Sequence, residues 1–168
     1  MGTGGVTRMT WATIITELGQ VLSFVNGDTK EHGIRLALKL FQEYPVSQQF
    51  FVDFKGTPIE AMKNDPKLHH ALQQHAIRVT RVVEKVIGRL DHLDMAIPHL
   101  IKLGYAHRLY GVPSEYLRVM GTVFILAIKP YLENHQKWNE EIQDAWQELF
   151  SHITRVMVHA HINYSPNE

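Results

Sequence analysis

Apolar residues recur at intervals of three and four along almost the whole chain, and no stretch alternates with period two. The pattern therefore predicts helices and no sheet. Thr10 is placed to cap a first helix through Ser23, carried by Trp11, Ile14, Ile15, Leu18, Val21 and Leu22, and Asn26-Gly27-Asp28 makes a turn. A second helix is expected over Thr29–Glu43 on Ile34, Ala37, Leu38, Leu40 and Phe41, broken at Tyr44-Pro45. Pro45 suits the first turn of a short new helix, and Phe50 to Phe54 lead into a loop at Lys55-Gly56-Thr57-Pro58. A small helix follows at Ile59–Lys63. Asp65 before Pro66 caps a long one reaching about Leu90, interrupted by Asp91 and Asp94. Three further helices are expected, over Ile97–Tyr110, Pro113–Leu132 and Trp138–Ile162. The sum is one all-α domain of seven or eight helices over residues 10–163, with a Gly-rich flexible tail at 1–9 and a short tail at 164–168.

Two of these helices carry a histidine in the middle of their apolar face. Around His75 the apolar positions run Leu68, Leu72, Val79, Val82, Val83 and Val86. Around His107 they run Ile97, Leu100, Ile101, Leu103 and Gly104, with Tyr110 following. A buried imidazole must satisfy two ring nitrogens, which makes it costly on a greasy face unless something there needs it. One such histidine alone is more often a core residue bonded to a carbonyl than a ligand. Two on separate helices can face each other across a flat metal cofactor, and heme iron is the obvious candidate because neutral imidazole is a standard axial ligand.

Composition narrows the alternatives. A chain of 168 residues with 45% hydrophobic residues has the size and content for one well-buried core. Lys and Arg number 17 against 17 Asp and Glu, with no basic stripe, which argues against nucleic acid as a partner. The absence of cysteine removes disulfides, thiolate zinc, iron–sulfur clusters and thiol nucleophiles. No apolar run approaches a membrane span and no signal-peptide core opens the chain. Met1-Gly2 suggests N-myristoylation, but Val6 stands where that signal wants Ser or Thr. A soluble cytoplasmic protein without membrane association is the expectation.

The residues in order resemble the globin family. Phe41-Gln42-Glu43-Tyr44-Pro45 followed by Phe51 and Phe54 resembles the junction of the B and C helices and the corner where an aromatic ring packs on the heme. Leu72-Gln73-Gln74-His75-Ala76-Ile77-Arg78-Val79 resembles the E helix with its distal histidine. Leu103-Gly104-Tyr105-Ala106-His107-Arg108, with Gly111-Val112-Pro113 and Tyr116-Leu117, resembles the proximal F helix and the start of G. Ala145-Trp146-Gln147-Glu148-Leu149-Phe150 is similar to the H helix. The spacing of 32 positions between His75 and His107 and the Leu-Gly-x-x-His-Arg context resemble the neuroglobin and globin X type more than myoglobin. In that type both histidines commonly bind the iron. Two departures stand out. Leu18 replaces a Trp common in the A helix, and Ala37 replaces the large residue usual in the distal pocket, which makes that pocket roomier and removes a donor to bound oxygen.

The resemblance implies heme b, with His107 as proximal ligand and His75 as sixth ligand. Phe51, Phe54, Val79, Leu103, Val112, Tyr116, Leu117 and Met120 would lie against the porphyrin, and Arg78 would reach a propionate. It implies small gases (O2, CO, NO) as ligands and a redox partner protein, in a role of redox signalling, gas sensing or electron transfer. Two alternatives are weighed against it: an oxygen storage or transport globin, and a cofactor-free helical adaptor. Enzymatic turnover is not expected beyond a minor redox activity such as nitrite reduction, because no distal arginine or acid accompanies His75. The other histidines, among them His69, His70, His92, His99, His135, His152, His159 and His161, read mostly as exposed.

Overall fold

Capping and proline chemistry set most of the observed helix boundaries. The computed structural model describes residues 29–167, so the expected first helix, the turn at Asn26-Gly27-Asp28, Leu18 and the 1–9 tail lie outside the described residues. Within them run six α-helices: α1 (Thr29–Glu43), α2 (Ile59–Asn64), α3 (Pro66–Ile87), α4 (Ile97–Leu109), α5 (Ser114–Asn134) and α6 (Glu140–Asn163). Short 3-10 segments at Pro45–Phe50, Val52–Phe54 and Leu90–Met95 join them.

Pro45 ends α1 and opens the first 3-10 segment, as a ring without an N–H must. The Asp65 carboxylate accepts from the backbone amides of Lys67 (2.8 Å) and Leu68 (3.4 Å), two of the donors that a helix start leaves unpaired. Asn139 does the same for α6 through the amide of Ile142 at 2.8 Å. The interruption expected near Asp91 and Asp94 is a 3-10 segment bent at His92 (φ −136°, ψ 56°), and α3 stops at Ile87, before the expected Leu90. Gly111 closes α4 in the left-handed region at φ 76°, which a side chain would resist, and lets the Val112 amide reach the His107 carbonyl at 3.0 Å.

The core is one continuous cluster in which Phe41, Met62, Leu72, Leu132, Trp146 and Leu149 are fully buried. Helix α1 packs on α3 and α5, α5 on α6, and α4 chiefly on α6. Helices α3 and α4 make no extensive contact with each other. Two positions expected on the apolar face of α4, Ile97 at its first residue and Tyr110 just past its last, are exposed. Between them Leu100 and Gly104 are buried. A Cβ on Gly104 would lie 2.2 Å from the Met157 carbonyl oxygen, so the two backbones touch where only glycine fits. Gly104→Ala is expected to cost about 3 kcal/mol of folding stability, the upper range for overpacking. Urea unfolding against wild type measures it, and a loss below ~1 kcal/mol would show that α4 and α6 slide apart freely.

Candidate functional site

Helix α4 carries His107 one turn beyond Gly104. The His107 Nδ1–H donates to the Leu103 carbonyl, one turn back, at 2.7 Å. A carbonyl can only accept, so this bond fixes the proton on Nδ1 and leaves the Nε2 lone pair pointing outward as a donor to metal. His107 itself is half-buried.

His75 approaches from α3, where Leu72 and Ala76 beside it are buried and Val79 packs against the core. Its ring meets the edge of Phe51 at 4.9 Å between centroids, with planes at 88°. The pKa of His75 falls from 6.5 to about 4, mainly through burial, then through the charges of Arg78 and His107. The imidazole is thus neutral near neutral pH, in the state that binds metal.

A small cavity opens beside His75, lined by Leu36, Ala37, Leu40, Phe41, Phe51, Phe54, Leu72, Ala76 and Met120. About 10 Å³ of it is open to the centre of a water-sized molecule, room for about one. Ala37 contributes as the missing large side chain would suggest, but Leu36, Leu40 and Phe41 fill much of the space around it. Among the described residues lining it, His75 alone carries a side-chain N–H or O–H group.

Of the residues expected to contact a cofactor, Phe51, Phe54 and Met120 share this cavity with His75. Phe54 is buried against Phe41, with centroids 5.9 Å apart. Leu103, on α4, is half-buried against the core. Leu117 is buried on α5, whereas the Tyr116 ring packs on Phe50 at 5.2 Å. Val112 is half-buried just beyond the end of α4. Arg78 is exposed, three residues after His75, its Nε donating to the Gln74 carbonyl at 3.3 Å.

Three features escaped the sequence reading. The Gln48 side-chain amide donates to the carbonyls of Phe54 and of Thr57 (2.6 Å for the latter), pinning the turn that presents both phenylalanines. Arg108 donates to the carbonyls of His161 (3.0 Å) and Tyr164 (2.7 Å) at the end of α6. His161, expected exposed, is half-buried, and its Nε2–H donates to the Val112 carbonyl at 2.7 Å. Side chains that bind main-chain carbonyls far along the chain leave no spacing pattern. Only the arginine directly after His107 hinted at the second.

The donor set suits a heme. Imidazoles on two separate helices, α3 and α4, would supply two axial nitrogens, and the apolar and aromatic side chains of Phe51, Phe54 and Met120 beside His75 suit the face of a flat porphyrin that would bring the other four. Among the described residues no group of three or more His, Asp or Glu is placed to hold a metal by protein ligands alone.

Comparison with known proteins agrees. The family model described as Globin matches residues 35–157. Globin CTT-W of Chironomus thummi piger is 23% identical over 124 residues, covering 70% of this chain and 71% of its own length. In three dimensions the chain is similar to a hexacoordinated heme protein from an anhydrobiotic tardigrade. There the TM-score is 0.76 at 18% identity, over 94% of this chain and 96% of the other. It is similar to ferric Aplysia limacina myoglobin with a TM-score of 0.75 at 20% identity, over 90% and 98%. A hexacoordinated protein and a myoglobin fit almost equally well, so the fold is common to both and iron ligation is a matter of individual residues. The helices, their order and the match over most of the chain make this protein a member of the globin family, whose members bind heme.

Proposed function

We propose that this globin binds heme b with His107 and His75 as its two axial ligands, and that it serves redox signalling, gas sensing or electron transfer. The observation that carries the reading is the pair of imidazoles, one on α3 and one on α4. One has its tautomer fixed by the Leu103 carbonyl, and the other is held uncharged in an apolar cavity with room for about one small molecule. Bound heme would supply an iron that cycles between two oxidation states and takes O2, CO or NO. The chain's residues do the rest. His107 anchors the iron, Phe51 holds the His75 ring edge-on, and Arg78 is placed to meet a propionate. His75 competes with any incoming gas, so apparent affinity falls by the fraction of molecules in which it has let go. The tardigrade protein, hexacoordinated by its description, lends support.

With His75 engaged, the described residues lining the cavity offer no other side-chain N–H or O–H to a bound gas. The reduced protein is therefore expected to oxidise in air within minutes. The measurement is the optical spectrum of both oxidation states without added ligand, followed by oxygen equilibrium binding and the oxidation rate. A reduced form that persists in air for many hours with simple reversible oxygen uptake would overturn the signalling reading in favour of storage or transport. A protein that stays colourless after heme addition would point to the cofactor-free adaptor.

A further inference from the structure

The residue after His107 is tied to the far end of the chain. Successive helical residues differ by about 100° around the axis, so His107 and Arg108 leave α4 in different directions. Arg108 reaches α6, where it donates to the carbonyls of His161 at 3.0 Å and Tyr164 at 2.7 Å. A helix end leaves its last carbonyls unpaired and carries partial negative charge, so a guanidinium there satisfies both needs at once. The same guanidinium lies 4.8 Å from the centre of the Tyr105 ring, and Tyr105 meets Tyr164 edge-on at 5.4 Å. His161 returns the link by donating to the Val112 carbonyl at 2.7 Å, while the Val112 amide donates to the His107 carbonyl at 3.0 Å. Residues 107–112 are thereby held to α6 from both sides, just beyond the tight Gly104 seam.

We propose that Arg108 is a positioning residue for His107. By bonding the last turn of α4 to the end of α6, it fixes where the imidazole stands and so the strength of its bond to iron. The inference rests on the heme reading above. With Arg108 in place, movement of His107 toward α3 requires breaking two charge-assisted hydrogen bonds. Without it, the last turn of α4 keeps the seam at Gly104, the ring contact of Tyr105 with Tyr164 and the loop bond from His161. The C-terminal end of α6 thus sets the geometry of the proximal ligand.

The test uses full-length protein reconstituted with heme, in a His75→Leu background where His107 is the only protein ligand. Resonance Raman of the reduced form reads the iron–histidine stretching band directly. Arg108→Ala is expected to shift and broaden that band and to speed heme loss about tenfold, the scale of losing hydrogen bonds to a charged group. Arg108→Lys, which keeps the charge and can reach one carbonyl, should restore part of both effects. Amide exchange in the heme-free protein gives a second readout, with faster exchange over residues 103–112 expected in Arg108→Ala even if heme is lost. An unchanged band and unchanged exchange in Arg108→Ala overturn the proposal. So does a destabilised protein whose band keeps its position and width, since that marks a purely structural arginine. If the parent His75→Leu protein takes up no heme at all, the heme reading itself falls instead.

Discussion

His107→Ala is expected to lower heme retention by more than about 100-fold, since even disturbing the group behind a metal ligand costs about 10–100-fold. Of the two candidate iron ligands His107 is the one whose tautomer a hydrogen bond fixes: Nδ1–H is spent on the Leu103 carbonyl, which leaves Nε2 as the donor. Truncation to Ala removes that donor and leaves a hole of imidazole shape. Added free imidazole should therefore restore much of the wild-type spectrum. His99→Ala is the matched control, because that residue is exposed near the start of the same helix and should leave both spectrum and retention unchanged. Retention is read from the rate of heme transfer to an apo-globin acceptor. If His107→Ala kept wild-type retention and an unchanged spectrum, the proximal assignment would be wrong.

Local chemistry made much of the helix order readable from the residues. Asp65 before Pro66 and the Tyr44-Pro45 break act within a few residues of where they stand, so their outcome needs no tertiary knowledge. The apolar faces around His75 and His107 were readable for the same reason, because periodicity alone decides which way an imidazole points. What could not be read arises between distant segments. Ile97 and Tyr110 fit the apolar pattern of α4 yet are exposed at its two ends, which only the packing of the folded chain decides. His161 looked like a solvated residue until the end of α6 was seen beside Val112, 49 residues earlier in sequence. The cavity shows the same limit. Ala37 suggests room by its size, but how much remains depends on Leu36, Leu40, Phe41 and Met120, three of them on α1 and one on α5.

Replacing His75 by Leu should convert a low-spin spectrum to a high-spin or water-bound one and speed carbon monoxide binding about 10–100-fold. That range corresponds to an internal ligand occupying the iron in about 90–99% of molecules. The substitution separates ligation from folding because the histidine pays for its place: burial first, then the nearby charges of Arg78 and His107, lower its pKa to about 4. Leucine has similar bulk, keeps an apolar contact with Phe51 and carries no polar atom to desolvate. Stability of the heme-free protein should therefore stay equal or rise by about 1 kcal/mol, the scale of relieving a buried polar group without a full set of partners. The two measurements, carbon monoxide kinetics on the loaded protein and urea unfolding of the heme-free one, are expected to move in unrelated ways. A large gain in binding rate with little change in stability marks His75 as a ligand competing for iron. A loss of stability with an unchanged binding rate would make it an ordinary core histidine. A wild-type protein already high-spin before any substitution would remove the sixth ligand from the account and leave a five-coordinate globin anchored by His107.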